Sequence, residues 1–133
     1  MKKDIKALVA VPTKVIDVGA QTSTVTSAAV DLKGYRSCLI VIDADAWTDG
    51  THTFSLTECD TSGGTYTAVA STDINGSAPV IDGAADDDQA YILGYVGSKR
   101  FIKVVSTVAG ASTGAIYGAL VIPGHKINGG KLN

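Results

Sequence analysis

The sequence is poor in charged and aromatic residues and contains no long apolar run. Of its 133 residues, 18% are charged and 6% are aromatic, and the formal net charge is −2. Because nucleic-acid-binding proteins need clustered positive charge to neutralise phosphates, this balance predicts no nucleic-acid partner. No apolar run approaches the roughly 20 residues that a membrane-spanning helix needs, so no membrane partner is expected either.

The shortage of charge also bears on assembly. Charged residues fall below the usual share of about 25%, while apolar residues make up 45% of the chain. A small protein that stays monomeric normally needs a charged surface to remain in water. We therefore expect part of this surface to be covered by other subunits, in a chain long enough for one domain with its own core.

The N-terminal residues have only part of the pattern of an export signal. The apolar run from Ala7 to Val11 is five residues long, whereas a signal peptide needs about 7–15, and the acidic Asp4 lies in what would be the basic region. The sequence thus predicts no export signal. In such a chain Cys38 and Cys59 are expected to be reduced, and a disulfide between them would need close Cα atoms, which sequence alone does not establish.

We expect residues 1–13 to form an extended N-terminal arm. Pro12 lacks the backbone N–H that a regular strand ladder requires, so it separates the arm from the first predicted strand. The arm carries Ile5, Leu8 and Val9 among its lysines, which allows two interpretations: a disordered tail, or a segment strapped across a neighbouring subunit. The aliphatic residues favour the second interpretation, and we predict that these three bind a partner.

From residue 14 onward the sequence has the composition of short β-strands. Val, Ile, Thr and Tyr dominate, and no segment keeps the 3.6-residue apolar stripe of a helix. Strands are predicted at 14–18, 22–30, 35–44, 52–59, 65–70, 78–81, 90–96, 99–108 and 114–122. This spacing indicates an all-β fold, an antiparallel β-sandwich of jelly-roll or immunoglobulin-like type with about eight strands over residues 14–123, followed by a C-terminal tail at 124–133.

Three segments show how the predicted sheets bury their faces. In residues 52–59, Phe54 and Leu56 alternate with serine and threonine, which is typical of a half-exposed strand. Residues 38–42 are apolar at every position, so both of their faces should be covered, one by the opposing sheet and the other by the arm or another subunit. Neither face of residues 114–122 is polar enough for water, which supports a homo-oligomer.

The segment 90–122 predicts three consecutive strands joined by tight turns, a meander. Gly97-Ser98 separates its first two apolar runs, and a glycine-led two-residue link is a hairpin signal. Beside this turn lie Tyr95, Lys99 and Arg100. They allow two interpretations: a corner that keeps its charges in water, or an interface anchor, since Arg and Tyr are enriched at binding hot spots. We retain all three as candidate partner-binding residues.

No arrangement of residues predicts catalysis or a cofactor. The acidic segment 43–50 does not match a calcium-binding EF-hand loop, because Trp47 occupies the fifth position, where an oxygen ligand is needed. The aspartate cluster within 82–88 has the ligands for a hard cation, but such loops are more often solvated, so no metal is predicted. Neither His52 nor His125 is fixed beside a nucleophile, and zinc, phosphate and dinucleotide motifs are missing. We therefore expect no enzyme.

One part of the chain has a recognisable pattern. Residues 90–108 read AYILGYVGSKRFIKVVSTV, and a strand of small residues ending in Val-Ile comes next. Two further segments are VDLKGYRSCLIVIDA at 30–44 and DGTHTFSLTECD at 49–60. In this order, the segments resemble small β-rich virion structural proteins encoded in the head gene cluster of tailed bacteriophages. The resemblance covers most of residues 14–123 and includes no catalytic motif.

The resemblance implies a capsid decoration or cement protein. Such proteins add β-rich subunits, often as trimers, at the joints between capsid subunits. It therefore implies a homo-oligomer that binds the major capsid protein on the capsid surface of the virion, after assembly in the host cytoplasm.

Two other functions stay open on the sequence. One is a receptor- or carbohydrate-binding β-sandwich of a phage tail or adhesin, and the other is an adaptor ring protein of the neck or tail. The sequence does not separate a trimer, a ring and a capsid-bound monomer.

Overall fold

The computed structural model describes residues 4–128 and 131–132 of the chain. Residues 1–3 of the expected arm and residues 129, 130 and 133 of the expected tail lie outside the described residues. The described part forms strands β1 to β12, in chain order Thr13–Gln21, Val25–Thr26, Val30–Asp31, Tyr35–Trp47, Thr51–Cys59, Thr67–Ala68, Ile74–Asn75, Val80–Ile81, Ala90–Tyr95, Phe101–Ala109, Ala115–Asn128 and Lys131–Leu132. It also contains three short 3-10 turns, at Ile5–Leu8, Ser71–Asp73 and Ala84–Asp86.

The strands pair into two antiparallel sheets. Sheet A has the order β1-β11-β4-β9-β7, with β12 paired to the end of β11. Sheet B has the order β2-β10-β5-β6, with β3 on β10 and β8 on β5. The sheets pack on each other through one hydrophobic core, and the described residues contain no α-helix. The predicted all-β antiparallel sandwich is therefore confirmed.

The predicted meander over 90–122 is wrong in its connections. β9 pairs with β4 and β7 in sheet A, β10 pairs with β5, β2 and β3 in sheet B, and β11 returns to sheet A. Gly97-Ser98 is therefore a link between the sheets. The inward residues of β9 and β10, such as Leu93 and Ile102, lie in the core between the sheets. A glycine-led link gives the same local signal whether the next strand stays in the sheet or crosses over.

The core lies between the inner faces of the two sheets. β5 alternates as predicted, with His52, Phe54 and Leu56 buried and the residues between them exposed. On β4, Ile40 and Ile42 are fully buried. Burying a large aliphatic side chain contributes about 1.5–3 kcal/mol, so these inner faces hold the two sheets together.

The N-terminal arm lies against the far end of β11. Its 3-10 turn begins after Asp4, whose carboxylate caps the turn by accepting a backbone N–H at 3.0 Å. Val9 then forms a bridge with Gly124, and the next residue donates its N–H to the carbonyl of Pro123 at 2.8 Å. β11 includes residues 124–128, which the sequence assigned to the tail. The described part of the arm thus contacts its own chain.

Asp49 joins two of the links that cross between the sheets. It lies between β4 and β5, and its carboxylate accepts hydrogen bonds from the backbone N–H groups of Gly114, Thr113 and Ser112, between β10 and β11. The shortest of these bonds, from Gly114, is 2.6 Å long. These N–H donors, Gly114 first, hold the pKa of the Asp49 carboxyl below its usual value. The two crossing links are fixed to each other by this carboxylate.

Candidate assembly face

The two sheets differ in the chemistry of their outer faces. On sheet B, the outward residues of β5 carry hydroxyl groups: Thr51, Thr53, Ser55 and Thr57. Their partners across β10 include Lys103 and Thr107. This face presents polar groups to water, in agreement with the alternation predicted for residues 52–59.

The outer face of sheet A is aliphatic at its centre. Val41 of β4 pairs with Leu120 of β11 on one side and with Ile92 of β9 on the other. In the neighbouring row, Leu39 pairs with Ile122. Directly opposed residues of paired strands lie on the same face with Cβ atoms about 5 Å apart, so the two rows form one continuous surface.

This surface remains open to solvent. Ile92 is 65% exposed, Val96, the residue after β9, is 56% exposed and Leu39 is 37% exposed. The segment 38–42 is expected to be covered on both sides; on its outer side, within the described chain, Leu39 is exposed and Val41 is half-buried. We define the apolar face as these residues: Leu39, Val41, Ile92, Val96, Leu120 and Ile122. A contiguous exposed aliphatic patch marks an interaction surface more often than scattered exposed residues do.

The arm forms a ridge at one end of the apolar face. None of the four residues of the 3-10 turn is buried, and Ile5 is 72% exposed. A groove of about 350 Å³, the face groove, lies between the arm and the apolar face, with Leu8 and Val96 among its lining residues. A second groove of about 320 Å³, the edge groove, lies beside the arm, where Val11 lines it. The arm therefore has uncovered aliphatic surface next to both grooves.

Three of the residues predicted to bind a partner meet at this ridge. Ile5, Leu8 and Val9 all line the face groove. Leu8 and Val9 are half-buried against their own chain, whereas Ile5 extends into solvent. The structure thus brings the arm residues to the apolar face, and their binding of a partner stays a prediction.

Tyr95, another predicted partner-binding residue, is fully buried. Its hydroxyl donates a hydrogen bond to the carboxylate of Glu58 in sheet B at 2.6 Å and accepts one from the backbone N–H of Lys99 at 3.1 Å. Burial, and next the hydrogen bond to Glu58, raises the pKa of Tyr95 well above its usual value. The expected surface position of Tyr95 is thus corrected to the core, where the side chain links the two sheets.

Lys99 and Arg100 form the two ion pairs found among the described residues. Lys99 Nζ lies 2.9 Å from the carboxylate of Asp60. Arg100 donates two hydrogen bonds of 2.8 Å to Asp31, and its guanidinium lies 4.9 Å from the centre of the Phe101 ring. The hydrogen bond from Arg100 is the main reason why the pKa of Asp31 falls to about 2. These contacts support the interpretation of a solvated corner, and a partner role for either cation stays a prediction.

The structure places both histidines beside hydroxyl groups, contrary to the expectation from sequence. Ser37 Oγ lies 2.6 Å from His125 Nδ1 at the end of the face groove. His52 Nδ1 lies 3.0 Å from the hydroxyl of Tyr117 in the core. A hydroxyl beside a histidine is the first part of a nucleophile–base arrangement, which also needs a group to orient the ring. Within residues 4–128, no carboxylate hydrogen bonds to either ring. Ser37 and His125 are 88 positions apart and meet because β4 pairs with β11, so no local pattern could have indicated them.

The aspartate cluster within 82–88 serves the local structure. Asp86 accepts hydrogen bonds from the hydroxyl of Tyr91 at 2.7 Å and from the backbone N–H of Asp82 at 3.1 Å. Asp87 accepts a hydrogen bond from the backbone N–H of Trp47 at 2.7 Å. Burial, and next the contact with Asp86, raises the pKa of Tyr91 to about 12. In the part of the chain that the structure describes, no three metal-ligating side chains come together.

Both cysteines are free thiols, as expected for reduced residues. Cys38 is buried on the inner face of β4, and burial raises its pKa to about 12. Cys59 is half-buried at the end of β5 in the other sheet. These two positions leave Cys59 as the more accessible thiol.

Comparison with known proteins adds no family to this description. No family model matches the chain, and no curated protein matches it either. None of the described segments is a helix with the length and hydropathy required to cross a membrane.

Proposed function

We propose that this protein is a structural subunit of a virion, a capsid decoration or cement protein that binds the joints between capsid subunits through its apolar face. The observation that carries the proposal is the contrast between the two outer faces. Sheet B presents hydroxyl groups to water, whereas sheet A leaves Ile92 and Val96 more than half exposed. A covering surface removes this aliphatic area from water. The resemblance of residues 14–123 to virion structural proteins supplies the partner, the major capsid protein.

The energetics suit a protein that works in many copies. Full burial of one aliphatic side chain contributes about 1.5–3 kcal/mol, so covering the exposed part of Ile92 contributes about 1–2 kcal/mol. A few such residues give a modest affinity for each contact. Subunits joined in a homo-oligomer bind several joints at once, and this multivalency raises the overall affinity without new contacts. The resemblance implies a trimer for this assembly.

The aromatic side chains favour this proposal over a carbohydrate-binding module. Sugar-binding surfaces commonly use exposed aromatic rings, whose apolar faces contact the ligand. All eight aromatic residues of the chain lie in the described part, and each is buried or half-buried. The outer face of sheet B therefore offers mainly hydroxyl groups, and the outer face of sheet A offers mainly aliphatic groups. An adaptor ring protein of the neck or tail would use the same apolar face. The partner that this face binds distinguishes an adaptor from a decoration protein.

The test is binding to empty capsids assembled from the major capsid protein that we expect to be encoded beside this chain. Wild-type protein is sedimented with the capsids and compared with Ile92→Asp, which places a charge at the centre of the apolar face. The matched control is Val80→Asp, because Val80 is 43% exposed on sheet B. Circular dichroism of each variant verifies that the sandwich is intact.

We expect wild-type protein and Val80→Asp to bind alike and Ile92→Asp to bind about tenfold more weakly or not at all. Equal binding by Ile92→Asp would reject the apolar face as the contact surface. No binding by the wild-type protein to capsids would reject the decoration function itself.

A further inference from the structure

The face groove has an aliphatic body and a polar end. Its lining includes aliphatic residues from both the arm and sheet A, among them Ile5, Leu8, Leu39 and Val96. The polar end is formed by Ser37 and His125, and none of the described residues that line the groove is an aspartate or a glutamate. Its volume of about 350 Å³ lies at the lower end of the range of roughly 300–1,000 Å³ for small-molecule sites. A groove of this size suits one unbranched chain.

The backbone at His125 turns its imidazole toward Ser37. In a regular strand, residue 125 would point to the opposite face from Ser37, because Gly124 is paired with Ser37 and successive side chains alternate. His125 instead has a φ of +54°, which few residues other than glycine adopt, and its Nδ1 lies 2.6 Å from Ser37 Oγ. When the Ser37 hydroxyl donates to Nδ1, the neutral imidazole carries its proton on Nε2. Nε2 makes no hydrogen bond with the described residues, so its N–H is available to an acceptor at the end of the groove.

Lys126 adds a positive charge beside this polar end. It pairs with Tyr35, which lies two residues along β4 from Ser37, so Lys126 is on the same face as Ser37 and about 7 Å further along the strands. That distance is within reach of the flexible lysine side chain. Lys126 is exposed and forms no ion pair with the described residues. Asp4 and Asp73 adjoin lining residues, in the arm and beside Val96, but neither of them lines the groove. The polar end therefore favours an anionic group.

We infer that the face groove binds an aliphatic carboxylate, of the kind found in a medium-chain fatty acid. The chain lies against the aliphatic lining, where it is removed from water. The carboxylate accepts a hydrogen bond from Nε2 of His125 and lies close to the charge of Lys126, in a charge-assisted contact. The inference goes beyond the proposed function and does not depend on it. Ile92, at the centre of the apolar face, is not among the lining residues, so the site leaves that centre to the capsid.

The experiment measures the binding of decanoate to the purified full-length chain by isothermal titration calorimetry, below the concentration at which decanoate forms micelles. Two related compounds separate the contributions of chain and charge. Decylammonium has the same chain with the opposite charge, and acetate has the carboxylate without the chain. We expect decanoate to bind, decylammonium to bind at least about tenfold more weakly, and acetate to show no measurable binding.

Substitutions in both parts of the groove locate the site. Val96→Asp places a carboxylate in the aliphatic part and should weaken decanoate binding about tenfold or more, whereas the matched control Val80→Asp on sheet B should bind like the wild type. His125→Asn removes the Nε2 donor and keeps a residue type that tolerates a positive φ, and Lys126→Gln removes the charge. Each should weaken decanoate binding about threefold, and Lys103→Gln on sheet B should leave it unchanged. Circular dichroism verifies that each variant is folded.

Any of four results would overturn the inference. The wild-type chain binds no decanoate, it binds decylammonium as tightly as decanoate, Val96→Asp and Val80→Asp bind decanoate equally, or neither His125→Asn nor Lys126→Gln changes the affinity. Capsid binding is measured separately and without decanoate. A chain that binds capsids but no decanoate would leave the proposed function in place, and a chain that binds decanoate but no capsid would reject the proposed function while retaining the carboxylate site.

Discussion

The hydroxyl of Tyr117 in sheet A donates a 3.0 Å hydrogen bond to Nδ1 of His52 in sheet B. The other ring nitrogen sets this direction, since it lies 3.1 Å from the carbonyl of Asp49 and must carry the proton because a carbonyl only accepts. The hydroxyl of Ser106 then donates to Tyr117 at 2.6 Å. His52, Ser106 and Tyr117 are fully buried, and each of their side-chain polar atoms has a partner. These hydrogen bonds connect the two sheets at the end where Asp49 joins the β4–β5 link to the β10–β11 link.

Removal of the Tyr117 hydroxyl should destabilise the fold. Tyr117→Phe leaves the acceptor of His52 and the donor of Ser106 buried without a partner, so we expect the free energy of unfolding to fall by about 1–3 kcal/mol. Urea denaturation followed by circular dichroism measures the change. The matched control is Tyr35→Phe, because the hydroxyl of Tyr35 makes no hydrogen bond with the described residues. An equal loss in the free energy of unfolding for both substitutions would show that the buried hydrogen bonds of Tyr117 add no stability.

The sequence predicts the sheets better than it predicts their connections. The alternation in residues 52–59 predicts which side of β5 is buried, because side-chain direction in a strand depends only on position. It does not predict that Gly97-Ser98 crosses between sheets, since that depends on which distant strands supply the hydrogen bonds. Tyr95 shows the same limit: beside a charged corner it has the composition of an interface anchor, and only the packing of two sheets places it in the core.

The candidate face is visible in the sequence only in part. The uninterrupted apolar segment 38–42 predicts that something must cover its outer side. The pairing of Val41 with Leu120 and Ile92 depends on strand order, which joins residues about 50–80 positions apart. For this reason the sequence points to an assembly surface without showing its shape.

Gly114, the residue directly before β11, should tolerate no side chain. It has a φ of +82°, and a Cβ there would overlap the carbonyl oxygen of Gln21. We expect Gly114→Ala to lower the free energy of unfolding by about 2–5 kcal/mol. Gly110→Ala is the control, because Gly110 also has a positive φ but has open space around it. Its cost should be about 1 kcal/mol. Equal losses in chemical denaturation would contradict the steric explanation.

Acid should weaken the ion pair between Asp31 and Arg100. The pKa of Asp31 is lowered from 3.8 to about 2 in the folded chain, so its contribution to stability is present above pH 3.8 and is lost as the pH falls towards 2. Because both side chains are nearly half exposed, the contribution is at most about 1 kcal/mol. Asp31→Asn should therefore reduce the loss of stability between pH 4 and pH 2. An unchanged pH profile would show that the pair does not contribute.

Deletion of the arm should affect assembly more than folding. β1 begins at Thr13, and none of the described arm residues before it belongs to the core. A chain lacking residues 1–12 should keep its circular dichroism spectrum and form homo-oligomers less readily in sedimentation velocity. Binding to capsids should also weaken, since Ile5 and Leu8 are removed from the end of the apolar face. Unchanged assembly by the truncated chain would show that the arm contributes no contact.

If the protein is a capsid decoration protein, a capsid covers the apolar face of sheet A. The most direct measurement is the rate of maleimide labelling of Ile92→Cys, with and without empty capsids. The same measurement on Val80→Cys reports the outer side of sheet B. Both variants carry Cys59→Ser, and the buried Cys38 does not compete because its thiol is covered and its pKa is raised to about 12. We expect capsids to slow the labelling of Ile92→Cys strongly and to leave Val80→Cys unchanged. Protection of Val80→Cys with continued labelling of Ile92→Cys would contradict the account.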